Sequence, residues 1–431
     1  MNDFIPASVY CNNVFDGTHE TPKHVEIGRP FVTSKNIMGR KLKLSTSYNI
    51  SESDYNSFQV RSKVSQWDVL FSLIGSVGEV YLEKEENIPY AIKNIGVFSC
   101  KDEYKAKWLY YYLQSPYAKS HINSYLRGAV QKFLSLGLLR EFPIPAYDKS
   151  KNKIIDCLFN LDTKNELNQR INAELESMAK TLYDYWFVQF EFPTTPPPPS
   201  YRTPPPNTTV LLSYLGEDGR GYKSAGGKMV LNEKLGKEIP EGWDVKPLGK
   251  ALKTHLGGTP STKNPEYWEN ATIPWLNSGD LTEFPIIKSS SFVTKKGVDN
   301  SATTILPKGS VVISLVRYIR PSIIALEACA NQSVVGIRES EELKNTFIYP
   351  YLVNEIPRLM SLRTGAQQPH INKETIDETL LCIPPTNILN EYYKISEPIY
   401  KKIINLAFKS QTLTELRDWL LPMLMNGQVQ V

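Results

Sequence analysis

The segment 221–229, Gly-Tyr-Lys-Ser-Ala-Gly-Gly-Lys-Met, contains the glycines and the lysine from which phosphate-binding loops are built. Such a loop also needs a glycine five positions before its last glycine, and a Ser or Thr hydroxyl after the lysine to hold magnesium. Tyr222 occupies the first of these positions and Met229 the second. The sequence therefore does not predict a nucleoside triphosphate site here.

Three other patterns of catalytic residues are also incomplete. Ile88 interrupts the Asn-Pro-Pro-aromatic pattern with which amino-methyltransferases hold a flipped base, and no Gly-x-Gly turn precedes it. Glu342 and Lys344 have the Glu-x-Lys spacing of nucleases, but no matching Asp stands on an earlier strand. The five histidines form no close pair of metal ligands; they are His19, His24, His121, His255 and His370. We therefore predict no catalytic residue, metal site or cofactor in this chain.

Polar residues on glycine-bearing turns are a stronger chemical signal. Small hydroxyl and amide side chains present hydrogen-bonding groups without bulk, which suits phosphate oxygens and base edges. Arg363 precedes a loop with two glutamines and a histidine, and Gln and Arg side chains pair bidentately with adenine and guanine. The alternative, that each loop holds only polar turn residues between strands, stays open.

The candidate DNA-contacting residues lie in both halves of the chain. They are Thr18, His19, Lys35, Asn36, Arg127, Gln131, Lys132, Thr259, Ser261, Lys263, Asn277, Arg317, Arg363, Thr364, Gln367, Gln368 and His370. Those predicted to read bases are Arg363, Gln367 and Gln368. Those predicted to contact phosphates, and so to give salt-dependent binding, include Lys35, Lys132, Lys263 and Arg317.

The elements that position these loops occur twice in the sequence. The segment 67–74 has the apolar pattern of a short buried strand, and the segment 309–316 repeats it. The segment 127–134 is repeated by 364–371, and each copy then leads into an apolar element containing proline. Because the offset between the copies stays at about 240 residues, the sequence predicts an internal duplication.

A long amphipathic pattern follows each copy. Apolar residues recur every three or four positions, which predicts a helix of about 35 residues with a seam narrow enough for helix pairing. Packing of each helix on its own domain is the alternative. Both patterns exceed the usual helix length, so we expect paired helices that also dock partner proteins. The docking candidates are Leu158, Leu161, Leu175, Leu182, Trp186, Ile395, Ile399, Leu413 and Leu420.

A segment rich in proline and glycine separates the two halves. Prolines at 193–206 favour extended polyproline conformation, and the glycines at 216–227 suit a flexible crossing. We therefore predict a linker at 193–238. A proline-rich ligand for an aromatic groove is the alternative.

The overall composition limits the class of protein. A chain of 431 residues is expected to form two or three domains, and its net charge of +4 permits nucleic acid as a partner without requiring it. The five cysteines lie far apart without a CxxC pair, which is typical of a reducing compartment. No export signal or membrane-length apolar run is evident, so a cytoplasmic protein is expected.

The ordered set of motifs resembles the specificity subunit of type I restriction–modification systems, over essentially the whole chain. The motifs are Tyr-Asp-Tyr-Trp-Phe-Val-Gln-Phe-Glu-Phe-Pro at 183–193, the segment 221–229, Ile-Pro-Glu-Gly-Trp at 239–243, Gly-Gly-Thr-Pro-Ser at 257–261, Gly-Ala-Gln-Gln-Pro at 365–369 and Leu-Leu-Pro-Met-Leu-Met-Asn-Gly-Gln-Val at 420–429. Two departures are the proline-rich stretch at 196–206 and Phe133, which stands where the second copy has His370.

The resemblance implies an α+β fold with two globular target-recognition domains, related by a pseudo-twofold internal duplication and separated by two long antiparallel helices. The corresponding boundaries are 1–149 for the first recognition domain, 150–192 for the first helix, 239–386 for the second domain, and 387–431 for the second helix and tail.

The resemblance also implies a non-catalytic role in prokaryotic defence. Such a subunit binds double-stranded DNA with a bipartite target and docks two methyltransferase subunits and, through them, motor–nuclease subunits. S-adenosylmethionine, ATP and magnesium would belong to those partners. A repeat-built protein-interaction scaffold without DNA specificity is the alternative function, and a modification-only complex without the motor is a further option.

Overall fold

The computed structural model describes residues 4–126, 133–193, 221–365 and 369–429. Its helices and strands form an α+β protein, as predicted. The chain divides into two compact units: unit 1 comprises residues 1–165 and 412–431, and unit 2 comprises residues 166–411. These boundaries differ from the predicted ones, because each unit includes part of both long helices.

Unit 1 begins with short strands and helices, and the first long helix starts within it. The elements are β1 (Phe4–Pro6), α1 (Ala7–Tyr10), β2 (Asn13–Asp16), β3 (Arg29–Thr33), β4 (Ile37–Met38), β5 (Lys41–Leu42), β6 (Tyr48–Ile50), α2 (Glu52–Ser62), β7 (Asp68–Ser72), β8 (Val80–Leu82), β9 (Ala91–Lys93), β10 (Ile95–Ser99), α3 (Glu103–Gln114), α4 (Pro116–Tyr125), α5 (Leu136–Arg140), β11 (Pro143–Pro145) and α6 (Asn152–Tyr183). A π-helical turn, Asp184–Val188, extends α6.

Unit 2 repeats this kind of order and contains the start of the second long helix. The elements are β12 (Met229–Asn232), β13 (Lys237–Pro240), β14 (Asp244–Pro247), α7 (Leu248–Ala251), β15 (Thr254–Leu256), β16 (Ile273–Leu276), β17 (Ser291–Val293), α8 (Lys295–Asp299), β18 (Val311–Ser314), β19 (Pro321–Ile323), β20 (Cys329–Ala330), β21 (Val334–Ile337), α9 (Asn345–Ser361), α10 (Lys373–Asp377), β22 (Leu380–Ile383) and α11 (Thr386–Met425).

The two units have the same sheet topology. Unit 1 has a four-stranded sheet of order β2-β10-β7-β8 and unit 2 has one of order β15-β21-β18-β19. Each unit adds a three-stranded sheet with one parallel pair, β3 with β9 or β16 with β20. A two-stranded pair, β1-β11 or β14-β22, completes each set. The predicted duplication is confirmed, and the predicted strands at 67–74 and 309–316 are observed as β7 and β18.

Glycine is required at one matching close approach in each unit. A Cβ atom on Gly17 would lie 2.5 Å from the carbonyl oxygen of Ile92, and a Cβ atom on Gly257 would lie 2.4 Å from that of Ala330. A side chain at either position would therefore displace the neighbouring strand.

Each unit has its own apolar core against which its helices pack. The core of unit 1 includes Trp108 and Phe98 together with Leu158 of α6 and Leu421 of α11. The core of unit 2 includes Phe347. Burial of these side chains supplies most of the driving force for folding.

The long helices α6 and α11 contact each other, as predicted. In unit 1, Arg417 pairs with Asp162 at 2.5 Å and Asn165 Nδ2 donates to Thr414 Oγ1 at 2.9 Å. In unit 2, Asn172 Nδ2 donates to the carbonyl oxygen of Ile403 at 3.2 Å, and the rings of Tyr183 and Tyr392 lie 6.4 Å apart. Since the residue number falls on α11 as it rises on α6, the helices are antiparallel in each unit.

The structure describes both ends of the predicted linker at 193–238. Strands β12 and β13 form an antiparallel hairpin that begins inside it, because residues 233–236 close a turn in which Gly236 has a φ of +61°. The ring of Tyr222 stacks on Phe192 at 4.7 Å, so the start of the described segment is also packed rather than a free crossing. The proline-rich stretch at 196–206 lies outside the described residues.

Among the helices of the described residues, none offers the continuous apolar length that a membrane span requires.

Candidate nucleic-acid interface

The predicted reading loop of unit 2 is held against the turn between β18 and β19. The backbone N–H of Arg317 donates to the carbonyl oxygen of Pro369 at 3.0 Å, and Ile371 N–H donates to Leu315 O at the same distance. Thr364 and His370 exchange two backbone hydrogen bonds of 2.9 and 3.0 Å. The structure therefore brings together four of the predicted residues: Arg317, Arg363, Thr364 and His370.

The matching loop of unit 1 is built on the same hydrogen bonds. Leu134 N–H donates to Leu73 O at 3.0 Å, as Ile371 does to Leu315 in unit 2. Phe133 is bridged to Ile74, and His370 to Val316. The departure noted in the sequence, Phe133 against His370, therefore falls on one structural position.

The guanidinium of Arg363 donates to two backbone carbonyl oxygens. Its Nε donates to Met360 O at 3.0 Å and its Nη1 donates to Arg317 O. These bonds use two of the five N–H groups of Arg363, so the guanine contact expected for Arg363 stays a prediction. The bond to Arg317 O also ties Arg363 to the turn that carries Arg317.

Several other predicted residues of unit 2 lie on surface turns. Lys263 and Ser261 are exposed, and the Thr259 hydroxyl donates to Gln332 Oε1. Asn277 Oδ1 accepts from Gly279 N–H at 2.7 Å, and its Nδ2 donates to Ser290 Oγ at 3.2 Å. The Asn277 side chain therefore shapes its own turn.

Asn36 of unit 1 is a structural residue rather than a surface contact. It is buried, and its Oδ1 accepts from Thr33 N–H at 2.8 Å. Asp280 makes the corresponding bond in unit 2, accepting from Asn277 N–H at 2.9 Å. The Thr-x-x-Asn spacing at 33–36 is that of a turn cap, and this signal was available in the sequence.

The remaining predicted residues of unit 1 differ in exposure. His19 is exposed and contacts Asn94 Oδ1 at 2.7 Å and Asp16 Oδ2 at 3.2 Å. Thr18 Oγ1 accepts from Glu20 N–H at 3.1 Å, and Lys35 is exposed. Five candidates lie outside the described residues: Arg127, Gln131, Lys132, Gln367 and Gln368.

The apolar residues predicted to dock partners mostly face the chain's own cores. Leu158, Leu182, Trp186, Ile395 and Ile399 are buried within their units, and Leu161, Leu175, Leu413 and Leu420 are half-buried. Their periodicity is therefore explained by packing inside the chain. The apolar side chains that α11 exposes in unit 1 are Leu416 and Trp419, at 40% and 63%.

Two residues of the unit 2 loop were missed by the sequence analysis. Tyr318 and Arg320 follow Arg317 in the β18–β19 turn, and Tyr318 is 61% exposed. The run Arg-Tyr-Ile-Arg directly after a buried strand was the available signal.

Three cationic side chains act on His255 in unit 2. Burial, followed by the charges of Arg338, Lys373 and Lys253, lowers the pKa of His255, so its imidazole is neutral at neutral pH. Among the residues that the structure describes, no group of three His, Cys, Asp or Glu side chains could hold a metal ion.

Two segments of the chain, residues 25–177 and 240–415, match the family described as "Type I restriction modification DNA specificity domain". The chain is similar to the type I restriction enzyme MjaIX specificity subunit of Methanocaldococcus jannaschii, with 26% identity over 77% of this chain and 71% of that protein. It is also similar to the HindI specificity subunit of Haemophilus influenzae, with 24% identity over 65% of this chain and 67% of that protein.

A solved structure has the same fold. The type I restriction–modification S subunit from M. genitalium superimposes with a TM-score of 0.56 and 15% identity, covering 98% of this chain and 95% of that one. The family match spans well over half of the chain and includes both copies of the duplication. The chain therefore belongs to the type I restriction–modification DNA specificity family and is a non-catalytic specificity subunit.

Proposed function

We propose that this chain reads a bipartite target in double-stranded DNA, one part with each unit. The observation that carries the proposal is the pair of matching loops. The same backbone hydrogen bonds, Leu134 to Leu73 and Ile371 to Leu315, support different side chains. A shared scaffold with different surface residues is what reading two unlike sequences requires.

The second part of the proposal concerns the partners. The chain docks two methyltransferase subunits, which use S-adenosylmethionine to methylate adenine, and through them motor–nuclease subunits that use ATP and magnesium. The exposed Trp419 and Leu416 on α11 support a docking surface there, since exposed aromatic side chains are enriched at protein interfaces. The complex acts in the prokaryotic cytoplasm, and the five free cysteines fit a reducing compartment.

The direct test is co-expression of the full chain with its methyltransferase partner, followed by genome-wide mapping of methylated adenines. The expected result is one recurrent motif made of two short boxes with an unread gap. Methylation without sequence preference, or a single continuous motif, would contradict the proposal.

The spacing of the two boxes gives a second test. We expect α6 and α11 to set the gap, because both helices continue through the two units. Seven residues inserted after Ala173 of α6 must be matched by seven after Asn405 of α11, since Asn172 contacts Ile403. A heptad adds about 10 Å at 1.5 Å per residue, so the gap should lengthen by about three base pairs.

The matched control places the same seven residues in the proline-rich stretch at 196–206. This insertion should leave the gap unchanged in the mapped motif. A gap that ignores the helix insertion, or that follows the control insertion, would rule out the helices as the spacer.

A further inference from the structure

The turn between β18 and β19, residues 315–320, is here called the hairpin tip. Its side chains divide between the core and the surface. Ile319 is buried and anchors the turn, whereas Arg317 and Tyr318 are exposed. The ring of Tyr318 is therefore presented outward from a fixed base.

Hydrogen bonds fix the backbone of the hairpin tip on both sides. The hydroxyl of Ser314 donates to Tyr318 O and accepts from Arg320 N–H at 3.2 Å. Arg317 has a φ of +59°, the left-handed region that a residue other than glycine occupies only when its surroundings hold it there. Pro369 and Arg363 supply these contacts, so the tip is pre-organised and loses little entropy on binding.

The hairpin tip also carries unpaired positive charge. Within the described ranges, the guanidinium groups of Arg317, Arg320 and Arg363 form no ion pair with a carboxylate. By contrast, Arg358 on nearby α9 pairs with Glu355 at 2.5 Å. These three positive charges lie on two segments that contact each other, the hairpin tip and the segment that carries Arg363. They favour a polyanion as the binding partner over a neutral protein surface.

Arg320 supports the tyrosine ring directly. Its guanidinium carbon lies 4.9 Å from the centroid of the Tyr318 ring, the geometry of a cation–π contact. One ring face is thus covered, and the opposite face and the phenolic hydroxyl are left for a ligand.

We propose, on the basis of the proposed function, that Tyr318 contacts base edges in the part of the DNA target that unit 2 reads, while Arg317 and Arg320 contact the flanking phosphates. An aromatic ring makes apolar contact with a thymine methyl group in the major groove, and its hydroxyl hydrogen-bonds to base edges. Tyr318 is then a specificity-determining residue, and the two arginines supply sequence-independent affinity.

The experiment uses the full chain in complex with its methyltransferase partner and selects bound duplexes from a randomised library. Tyr318→Ala should relax the preference at one or two positions of a single box by about fivefold or more. The other box should be unchanged. Tyr318→Phe should retain the part of the preference that comes from apolar contact.

Arg317→Asn tests the phosphate contact without disturbing the backbone, because Asn tolerates the left-handed conformation. It should weaken binding to all sequences equally and reduce the slope of log affinity against log salt by about 0.9. The matched control is Leu231→Ala, which truncates a side chain that is 69% exposed on β12 of the same unit. It should alter neither measurement, and the melting temperature of each variant checks that it is folded.

The inference is overturned if Tyr318→Ala leaves every base preference intact, or if it weakens binding equally at all sequences. If Arg317→Asn left the slope of log affinity against log salt unchanged, the proposed contact between Arg317 and phosphate would be contradicted. If the wild-type complex itself selects no sequence, the proposed function fails, and this result is distinct from failure of the inference.

Discussion

The run Leu-Arg-Asp-Trp-Leu at 416–420 of α11 repeats Leu-Tyr-Asp-Tyr-Trp at 182–186 of α6, yet the second residue of each run meets different surroundings. In unit 1, Arg417 is buried and pairs with Asp162, whose other oxygen accepts from the Tyr111 hydroxyl at 2.8 Å. In unit 2, Tyr183 packs on Phe187 and Phe347 at centroid distances of 5.1 and 5.6 Å. One position of the duplication thus holds a buried ion pair and its copy holds an aromatic cluster.

The same contrast appears at the start of the matching strands β7 and β18. The N–H of Asp68 donates to Ser65 O, and the N–H of Ser310 donates to Pro307 O, both at 3.1 Å. Both side chains are almost fully buried. Burial is the main cause that raises the pKa of Asp68 to about 6, whereas Ser310 does not titrate in this range.

The differences between these matching positions show which features the two units share. The backbone hydrogen bonds recur in both units, while the buried side chains at these two positions are charged in unit 1 and neutral in unit 2. A buried charge costs desolvation energy and is tolerated only with its partner. The interior of unit 1 should therefore respond to loss of a partner and to pH, and the interior of unit 2 should respond mainly to loss of packing.

The largest expected effect is removal of one member of the buried ion pair. Asp162→Leu removes the buried carboxylate that pairs with Arg417 and leaves only the more exposed Asp418, at 2.9 Å, as its ion-pair partner. It should destabilise unit 1 by about 3 kcal/mol, the lower end of the cost of breaking a buried pair. The double variant Asp162→Leu with Arg417→Met should recover most of this loss, because two apolar side chains of similar size replace the pair. Hydrogen–deuterium exchange on peptides of unit 1, with those of unit 2 as reference, measures both.

An exposed ion pair provides the control. Arg29 and Glu52 pair at 2.8 Å on the surface of unit 1, and Arg29→Met should cost far less than Asp162→Leu, because water screens an exposed ion pair. If Asp162→Leu cost no more than Arg29→Met, the buried pair would not distinguish the units as described.

The duplication was predictable from the sequence because its strands and loops repeat with a steady offset. The segments around Asp68 and Ser310 identify matching strands although their first residues differ in charge. Sheet order was not predictable, since the pairing of β3 with β9 is not encoded by any local pattern. The apolar stripe of α6 predicted pairing with α11, but periodicity alone did not show that Leu182 and Trp186 would be buried within unit 2.

The reading loops were predicted less well. Polar residue types identified the region of Arg317, but could not separate Asn36, which caps a buried turn, from residues that face solvent. The occupation of Arg363 by two carbonyl oxygens depends on tertiary contact between segments 46 residues apart. The sequence did not predict that Tyr318 is exposed, because a tyrosine that follows a strand is more often a core residue.

The pH response of unit 1 is the next effect in size. The pKa of Asp68 in the folded chain is about 6, above the unfolded value of about 3.9. The folded state therefore binds the extra proton between these values, and stability should fall as pH rises from about 4 to 7. Asp68→Asn keeps an acceptor for Ser65 N–H and removes the charge, so it should abolish about 2–3 kcal/mol of this fall.

The reciprocal change in unit 2 sharpens the comparison. Ser310→Asp places a carboxyl at the matching buried strand start and should make unit 2 less stable at pH 7 than at pH 5. The check is exchange in peptides of unit 2 at both pH values, with Asp68→Asn measured in unit 1 alongside. A pH-independent Ser310→Asp variant would show that the two strand starts are not equivalent environments.

The smallest expected effect concerns a neutral hydrogen bond in the aromatic cluster of unit 2. The hydroxyl of the fully buried Tyr392 donates to Thr346 O at 2.9 Å. Tyr392→Phe removes this bond but keeps the ring, so unit 2 should lose about 0.5–1.5 kcal/mol. Tyr104→Phe is the matched control, because the Tyr104 hydroxyl donates to Asp156 at 3.1 Å in a solvent-exposed setting, and its loss should leave stability nearly unchanged. If exchange in unit 2 showed that Tyr392→Phe costs as much as Asp162→Leu costs unit 1, the contrast between a charged and a neutral interior would not hold.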